Sequence, residues 1–415
     1  MPRILLWLTL GTFAVGTGTF SIAGLLPMIA ADLGVSVPSA GYLSMAFALA
    51  YALASPVLAA ALAGVDRRRT LVLAMGVYAL ASAACGLAPG YGALMVLRIV
   101  AALAAALFVP TAGACAIALA EAHHRGRAMA MVVGGMTLST VLGAPIGTLI
   151  GEEFGWRAAF LVVAGLGALS AAGSLAFMPR LPGAKAAGVL ERLAVAARPA
   201  VAVLLAQTVM VFTGAFTLFS YLGPFVQGAL GFGGQGTALA LALSGLGGLF
   251  GVALGGWAAD RQDPRRFLIL SNGVLALSLA AISVSVEWLS PAVAVPFVLG
   301  LLVVWGASGW SFPAVQQVRL VGLSPAMAPV LLSLNASATY LGASLGALFG
   351  GVAIGGGALR ELGLVAGGIV AVSAAMVWAS GRRRRGWAAG GVGSPGALPA
   401  GLKPGRFTRH RFRGG

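Results

Sequence analysis

Twelve apolar runs of about 20 residues, separated by short polar gaps, constrain this chain more than any other feature. A run of that length crosses the hydrocarbon core of a bilayer as an α-helix. In lipid, a helix satisfies every backbone N–H and C=O within its own segment. The runs are continuous, so they lack the two-residue alternation of a membrane β-barrel. Charge agrees with this reading. Asp, Glu, Lys and Arg make up 9% of the 415 residues, against about 25% in a soluble domain. A cytosolic enzyme, a secreted disulfide scaffold and a disordered protein are all excluded, because none could cover its surface with so few charges. Cys85 and Cys115 both lie inside apolar runs and read as small packing residues, not as a disulfide.

Hydropathy windows predict helices near 4–26, 39–63, 71–88, 92–118, 128–150 and 158–178, then near 200–226, 236–258, 266–287, 291–315, 327–350 and 360–380. The expected fold is therefore an all-α membrane protein of twelve transmembrane helices in two six-helix bundles. The first bundle covers 1–178, a polar cytoplasmic linker 179–199, and the second bundle 200–380. Residues 381–415 carry nine basic and no acidic groups and are expected to be a disordered cytoplasmic tail. The net charge of +16 does not mark a nucleic-acid partner, because the tail and the short gaps hold most of it. The expected partners of the basic tail are anionic lipids.

Orientation follows from the basic residues, which are retained on the cytoplasmic side. With the N-terminus inside, 23 of the 26 Lys and Arg fall in inside segments, including Arg67, Arg68, Arg69, Arg265, Arg266 and Arg319. Only Arg157 and Arg360 fall outside, and Arg98 lies within a predicted span. Both termini are expected in the cytoplasm.

The two sets of spans also resemble each other at a nearly constant shift. Pro27 matches Pro224, Leu33-Gly34 matches Leu230-Gly231, and Arg68-Arg69 matches Arg265-Arg266, each at +197. Thr140 to Gly147 matches Thr339 to Gly346 at +199. A duplicated six-helix unit of this kind places a substrate site between its halves near the bilayer midplane.

These residues resemble the major facilitator superfamily, in particular its twelve-spanner drug:proton antiporter branch of bacterial sugar-efflux and chloramphenicol-resistance proteins. The likeness is carried by Gly24-Leu-Leu-Pro-Met-Ile-Ala-Ala-Asp32-Leu-Gly, by Gly256-Trp-Ala-Ala-Asp260-Arg261 with Arg265 and Arg266, by Arg98, by Gly143-Ala-Pro145-Ile-Gly147, and by Gly155-Trp156-Arg157. It implies a secondary transporter that exports small amphipathic molecules (drugs, sugars or metabolites) by alternating access, as a proton antiporter in the bacterial inner membrane. The alternatives are an uncoupled facilitator and a transport-fold sensor. No enzyme, metal site or cofactor is expected, since no His, Cys, Asp or Glu cluster gathers at one depth; the proton gradient is the implied energy source. A monomer is expected.

The resemblance implies that spans one, four, seven and ten line the path. The candidate cavity residues are Thr17, Thr19, Phe20, Arg98, Thr111, Gln207, Phe216, Tyr221, Trp305 and Trp310, with Asn335 and Tyr340 on span eleven. Arg98 is the single charge placed well inside a span, and a guanidinium there should face a cavity or a partner. Asp66, Arg68, Arg69, Asp260, Arg261, Arg265 and Arg266 form the candidate conformational latch. Asp260 is the expected partner of the next helix's N-terminus. Gly143, Pro145 and Gly147 should allow close helix approach and a bend in span five. All ten acidic residues fall at or near helix ends, so Glu152 and Glu153 at the end of span five are the nearest candidates for carrying a proton.

Overall fold

The computed structural model describes residues 4–183 and 188–389. Lys185, Arg3 and the part of the basic tail from residue 390 onward lie outside them. Eleven helices are long and apolar enough to cross a membrane, and a bent pair makes the twelfth span. An even number of crossings returns the chain to the face from which it started, here called the terminal face; the opposite side is the far face.

Span one is broken into α1 (Ile4–Phe20) and α2 (Ile22–Asp32), which meet at 49°. Then follow α3 (Val37–Ala61), α4 (Arg67–Gly86) and α5 (Tyr91–Leu119). Span five consists of α6 (Arg125–Leu138), a π-helical turn Ser139–Gly143 and α7 (Ala144–Phe154), and span six is α8 (Trp156–Phe177). The short α9 (Val189–Ala196) lies in the linker. Span seven is divided into α10 (Pro199–Phe219) and α11 (Leu222–Leu230). The remaining spans are α12 (Gly234–Arg261), α13 (Pro264–Trp288), α14 (Pro291–Leu323), α15 (Ala328–Gly355) and α16 (Leu362–Ala389).

The departures from the expected boundaries have local causes. Pro27 and Pro224 each remove a helical donor and crowd the carbonyl four residues back, and spans one and seven are interrupted just before them. In span five Pro145 is accommodated by the π-turn, which adds one residue to the winding and absorbs the ring without a sharp bend. Gly34 and Gly231, the pair matched at +197, both have positive φ (63° and 75°) and turn the chain at the far face. The last helix runs on to Ala389, so the start of the segment expected to be a disordered tail continues α16.

The same device starts the third span of each half. Asp66 caps α4 by accepting from the Arg69 N–H at 3.0 Å, and Asp263 caps α13 by accepting from the Arg266 N–H at 2.7 Å. The cap is therefore Asp263, three residues beyond the expected Asp260 and at the same +197 shift from Asp66. Asp260 is exposed at the end of α12, and among the described residues it makes no ion pair with Arg261 or Arg265. Arg68 donates to the Leu175 carbonyl of α8, and its counterpart Arg265 donates to the Val377 carbonyl of α16 at 3.2 Å and to that of Trp378. Each arginine thus ties the third span of its half to the sixth. Arg69, Arg261 and Arg266 stand beside these contacts at the terminal face, and Arg261 and Arg266 are exposed.

Between the halves, α3 packs along α15, α7 with its π-turn packs on α12, and α2 meets α11 at the far face. Small residues permit these approaches. A Cβ on Gly223 would lie 2.6 Å from the Ala23 carbonyl oxygen, and one on Gly245 would lie 2.5 Å from that of Thr140. Such contacts fix the helices by backbone proximity, the main source of specificity where lipid removes the hydrophobic drive between helices.

Candidate functional site

At the junction of the two halves lies a chamber of about 270 Å³. Its N-terminal wall comes from the α1–α2 break (Thr19, Phe20, Ile22, Ala23), from α3 (Ser44, Phe47, Tyr51) and from Arg98 on α5. Its C-terminal wall comes from Phe212, Phe216 and Phe219 on α10, Trp310 and Gln317 on α14, and Asn335, Thr339 and Tyr340 on α15.

The two helix breaks build its aromatic roof. Phe20 precedes the break in span one and Phe219 the break in span seven, and the two rings meet edge to face at 5.7 Å. Trp310 stands edge-on to Phe20 at 6.3 Å. On the α3–α15 side, Tyr51 and Tyr340 stack across the interface with ring centroids 3.6 Å apart and planes 18° from parallel. Toward the far face the chamber is closed. Tyr221, fully buried, donates to the Ala347 carbonyl at 2.9 Å and fills the space over Gly41 and Gly351.

Arg98 is 2% exposed and forms part of the chamber wall. Its Nη1 donates to the Gly18 carbonyl at 2.8 Å, and its guanidinium carbon stands 4.3 Å from the centre of the Phe47 ring. Nε and Nη2 have no hydrogen-bond partner. No Asp, Glu or His is among the described residues that line the chamber.

Of the twelve candidates, seven line the chamber together: Thr19, Phe20, Arg98, Phe216, Trp310, Asn335 and Tyr340. Five do not. Thr17 is buried against span five, where a Cβ on Gly143 would lie 2.1 Å from its Oγ1. Thr111 borders a separate pocket of about 190 Å³ within the first half. Trp305 lies behind Phe219 in a recess of about 40 Å³. Tyr221 belongs to the far-face closure. Gln207 is buried within the second half, where its Oε1 accepts from Arg319 at 2.8 Å.

Arg319 corrects a further expectation. The tenth span runs to Leu323 rather than ending near 315, so Arg319 stands on the spanning helix itself, about a turn before its end. Its Nη1 also donates to Gln316 Oε1 at 2.9 Å. The inside-loop assignment missed it because Gln316, Gln317 and Arg319 lower the hydropathy of the helix's last turns. Ser44, Phe47, Tyr51, Phe219 and Thr339 were missed as well. Phe47 and Phe219 look like ordinary core residues in sequence, and Phe219 shares its face of α10 with Phe212 and Phe216.

The helix-five glycines act as close-packing positions against span one: Gly143 faces Thr17, and a Cβ on Gly147 would lie 2.7 Å from that of Ser21. Glu152 and Glu153 are exposed at the far end of α7, with the Glu152 carboxylate lying over Gly234 at the start of α12. At that face Asp32 pairs with Arg157 and accepts from the Trp156 indole N–H at 3.1 Å, tying α2 to α8. At the terminal face Glu121, His123 and His124 come together in an exposed loop outside the bundle.

The comparisons agree with this architecture. The family model described as Major Facilitator Superfamily matches residues 8–326. The inner membrane transport protein YdhP of Escherichia coli K12 is 32% identical over 92% of this chain and 96% of its own length. A chloramphenicol resistance protein of Streptomyces lividans is 33% identical over 86% of this chain and 90% of its own. Among solved structures, a bacterial homologue of the human lysosomal transporter Spinster, inward-facing and occupied, superposes with a TM-score of 0.72. It does so at 19% identity over 91% of this chain and 96% of that one. With two six-span halves around a shared chamber and this breadth of match, the chain is an integral membrane transporter that belongs to the major facilitator superfamily.

Proposed function

We propose that the protein exports small amphipathic molecules across the bacterial cytoplasmic membrane by alternating access, with both termini in the cytoplasm. The observation that carries this reading is the chamber itself. It is walled by aromatic rings with a few hydroxyl and amide groups, which suits a weakly polar small molecule. It lies between two halves that meet along α3 and α15, α7 and α12, and α2 and α11. Closure of the far face by α2, α11 and Tyr221 fits one end state of a rocking cycle, in which the opposite state parts those helices. The resistance protein among the relatives supports export as the direction. Asp66, Arg68, Asp263 and Arg265 serve as braces that keep each half rigid while the halves move.

Proton antiport is the coupling that the drug:proton antiporter resemblance implies, with Glu152 and Glu153 as carriers. A second reading, an uncoupled facilitator, is favoured by one observation: among the described residues the chamber has no titratable carboxylate or imidazole in its wall. Flux in proteoliposomes with and without a pH gradient separates the two. Coupled transport runs uphill when the gradient is imposed, whereas a facilitator only equilibrates. A growth panel of toxic compounds, with and without the protein, tests export; no change in tolerance to any amphipathic compound would refute it.

A further inference from the structure

We propose that the chamber takes aromatic monoanions, with the anionic oxygens held on the free edge of Arg98. The proposal rests on the transport reading for the word substrate, but its binding chemistry stands by itself.

The Arg98 guanidinium is satisfied on one side only. Nη1 reaches the Gly18 carbonyl and the ring of Phe47 covers a face, while Nε and Nη2 are shielded from water without an acceptor. Nε and Nη2 form the side edge of the guanidinium, whose two parallel N–H bonds match the oxygen spacing of a carboxylate or sulfonate. Ser44 Oγ, in the same wall, is likewise buried with no partner. Both residues belong to one chamber wall, and a guest reaches these shielded donors when the side chains turn toward it.

The sign of the field points the same way. All ten acidic residues stand in loops or at helix ends. Arg319, near the end of α14, reaches the chamber wall through a chain of polar groups. Its Nη1 donates to Gln316 Oε1, Gln316 Nε2 contacts Thr208 Oγ1 at 3.4 Å, and Thr208 donates to Asn335 Oδ1 at 2.8 Å. With no carboxylate among the described lining residues, the positive potential of Arg98 is unopposed in a medium of low dielectric constant. A cationic guest would be repelled, and a neutral one would leave the edge unpaired. The remaining wall of Phe20, Phe216, Phe219, Trp310 and the Tyr51–Tyr340 stack specifies the other end of the guest. The chamber volume of about 270 Å³ leaves room for one or two fused rings.

The test uses three probes of one shape: 1-naphthalenesulfonate, neutral 1-naphthalenesulfonamide and the cation 1-naphthylmethylammonium. Binding to the purified full chain is followed by quenching of tryptophan fluorescence, since Trp310 lines the chamber. The expected result is that the sulfonate binds about tenfold or more tightly than the sulfonamide, with the ammonium weakest. In R98Q, checked for folding by elution profile and thermal unfolding, the ratio should collapse toward one. R98K, which keeps charge but loses the side edge, should fall between. Equal binding of sulfonate and sulfonamide in the native protein, or a preference for the ammonium, overturns the proposal whatever the variants do. Flux of the same probes in proteoliposomes reads transport separately. Flux of the sulfonamide alone would refute the anion class and leave the transporter standing. Selective binding of the sulfonate without flux of any probe would refute these anions as cargo and leave the anion site standing.

Discussion

Replacing Arg98 by methionine should make the protein more stable and stop it working. The favourable contacts of Arg98 are one charge-assisted hydrogen bond to the Gly18 carbonyl and one close approach to the Phe47 ring. The first contributes about 1.5–3 kcal/mol and the second about 2 kcal/mol in a desolvated setting. Against them stand Nε and Nη2, each buried without an acceptor at a cost of about 1–3 kcal/mol. The desolvation of a full charge adds several kcal/mol more. Methionine keeps an unbranched apolar stem against Phe47 and removes both penalties, so R98M should gain about 1–4 kcal/mol, the range seen when buried charges give way to apolar groups. At about 2–4 °C per kcal/mol in units of 150–250 residues, the melting temperature should rise by several degrees. Unfolding followed by tryptophan fluorescence in detergent measures the shift, and flux in proteoliposomes measures transport. A fall in melting temperature would mean that the orphaned edge is paired in the folded protein and that the reasoning is wrong. Full activity would remove Arg98 from the mechanism.

Other positions test the packing and the interface between the halves. G346A places a Cβ 2.5 Å from the Thr213 carbonyl and should destabilise by about 1–3 kcal/mol. G256A meets nothing within 4 Å and should be neutral or stabilising by up to about 1 kcal/mol, so equal melting temperatures would refute the close-approach argument. A double-mutant cycle replacing Tyr51 and Tyr340 by leucine should return a coupling of about 0.5–1.5 kcal/mol for the cross-half stack; zero coupling would deny it a role. G223V should prop the far face open against the Ala23 carbonyl, raising the labelling rate of a cysteine introduced at Ala23, and an unchanged rate would argue against far-face closure. D263A should cost about 1 kcal/mol as a lost helix cap, whereas D260A should cost nothing measurable.

Span number and parity were legible because lipid allows few solutions: an apolar run must become a helix, and its ends must carry the charge. Breaks were harder to read. Pro27 and Pro224 advertise a perturbed helix, but the interruptions fall upstream, at Ser21 and at Ser220-Tyr221. At the first break the Ser21 hydroxyl folds back to the Thr17 carbonyl at 2.7 Å, a local side-chain bond that competes with regular helix. Phe212, Phe216 and Phe219 recur at helical spacing on α10, so that wall was open to periodicity, whereas the positions of the breaks were not. Gln207 and Thr17 failed as cavity candidates for the opposite reason. A polar residue on a lining helix can equally face a neighbouring helix, and in these two the neighbour won.

The division of labour between shared and unshared residues follows from the duplication. Several positions that recur at the fixed shift hold each half: Asp66 and Asp263 cap, Arg68 and Arg265 brace, Gly34 and Gly231 turn. Each serves a contact within one six-span unit, so both copies need it equally. The chamber obeys no such requirement, because a guest has two different ends and meets each half once. Shifting Arg98 by 197 to 199 residues lands on Val295, Pro296 and Phe297, with no cation among them. The second half answers instead with Asn335, Thr339 and the rings of α10. Asymmetry in charge is therefore what a chamber between copies acquires when it specialises for a guest with an anionic head and an aromatic body. On this argument, Arg98, which has no counterpart in the second half, should alter which molecules are carried, and the repeated caps, braces and turns should alter whether the protein stands up.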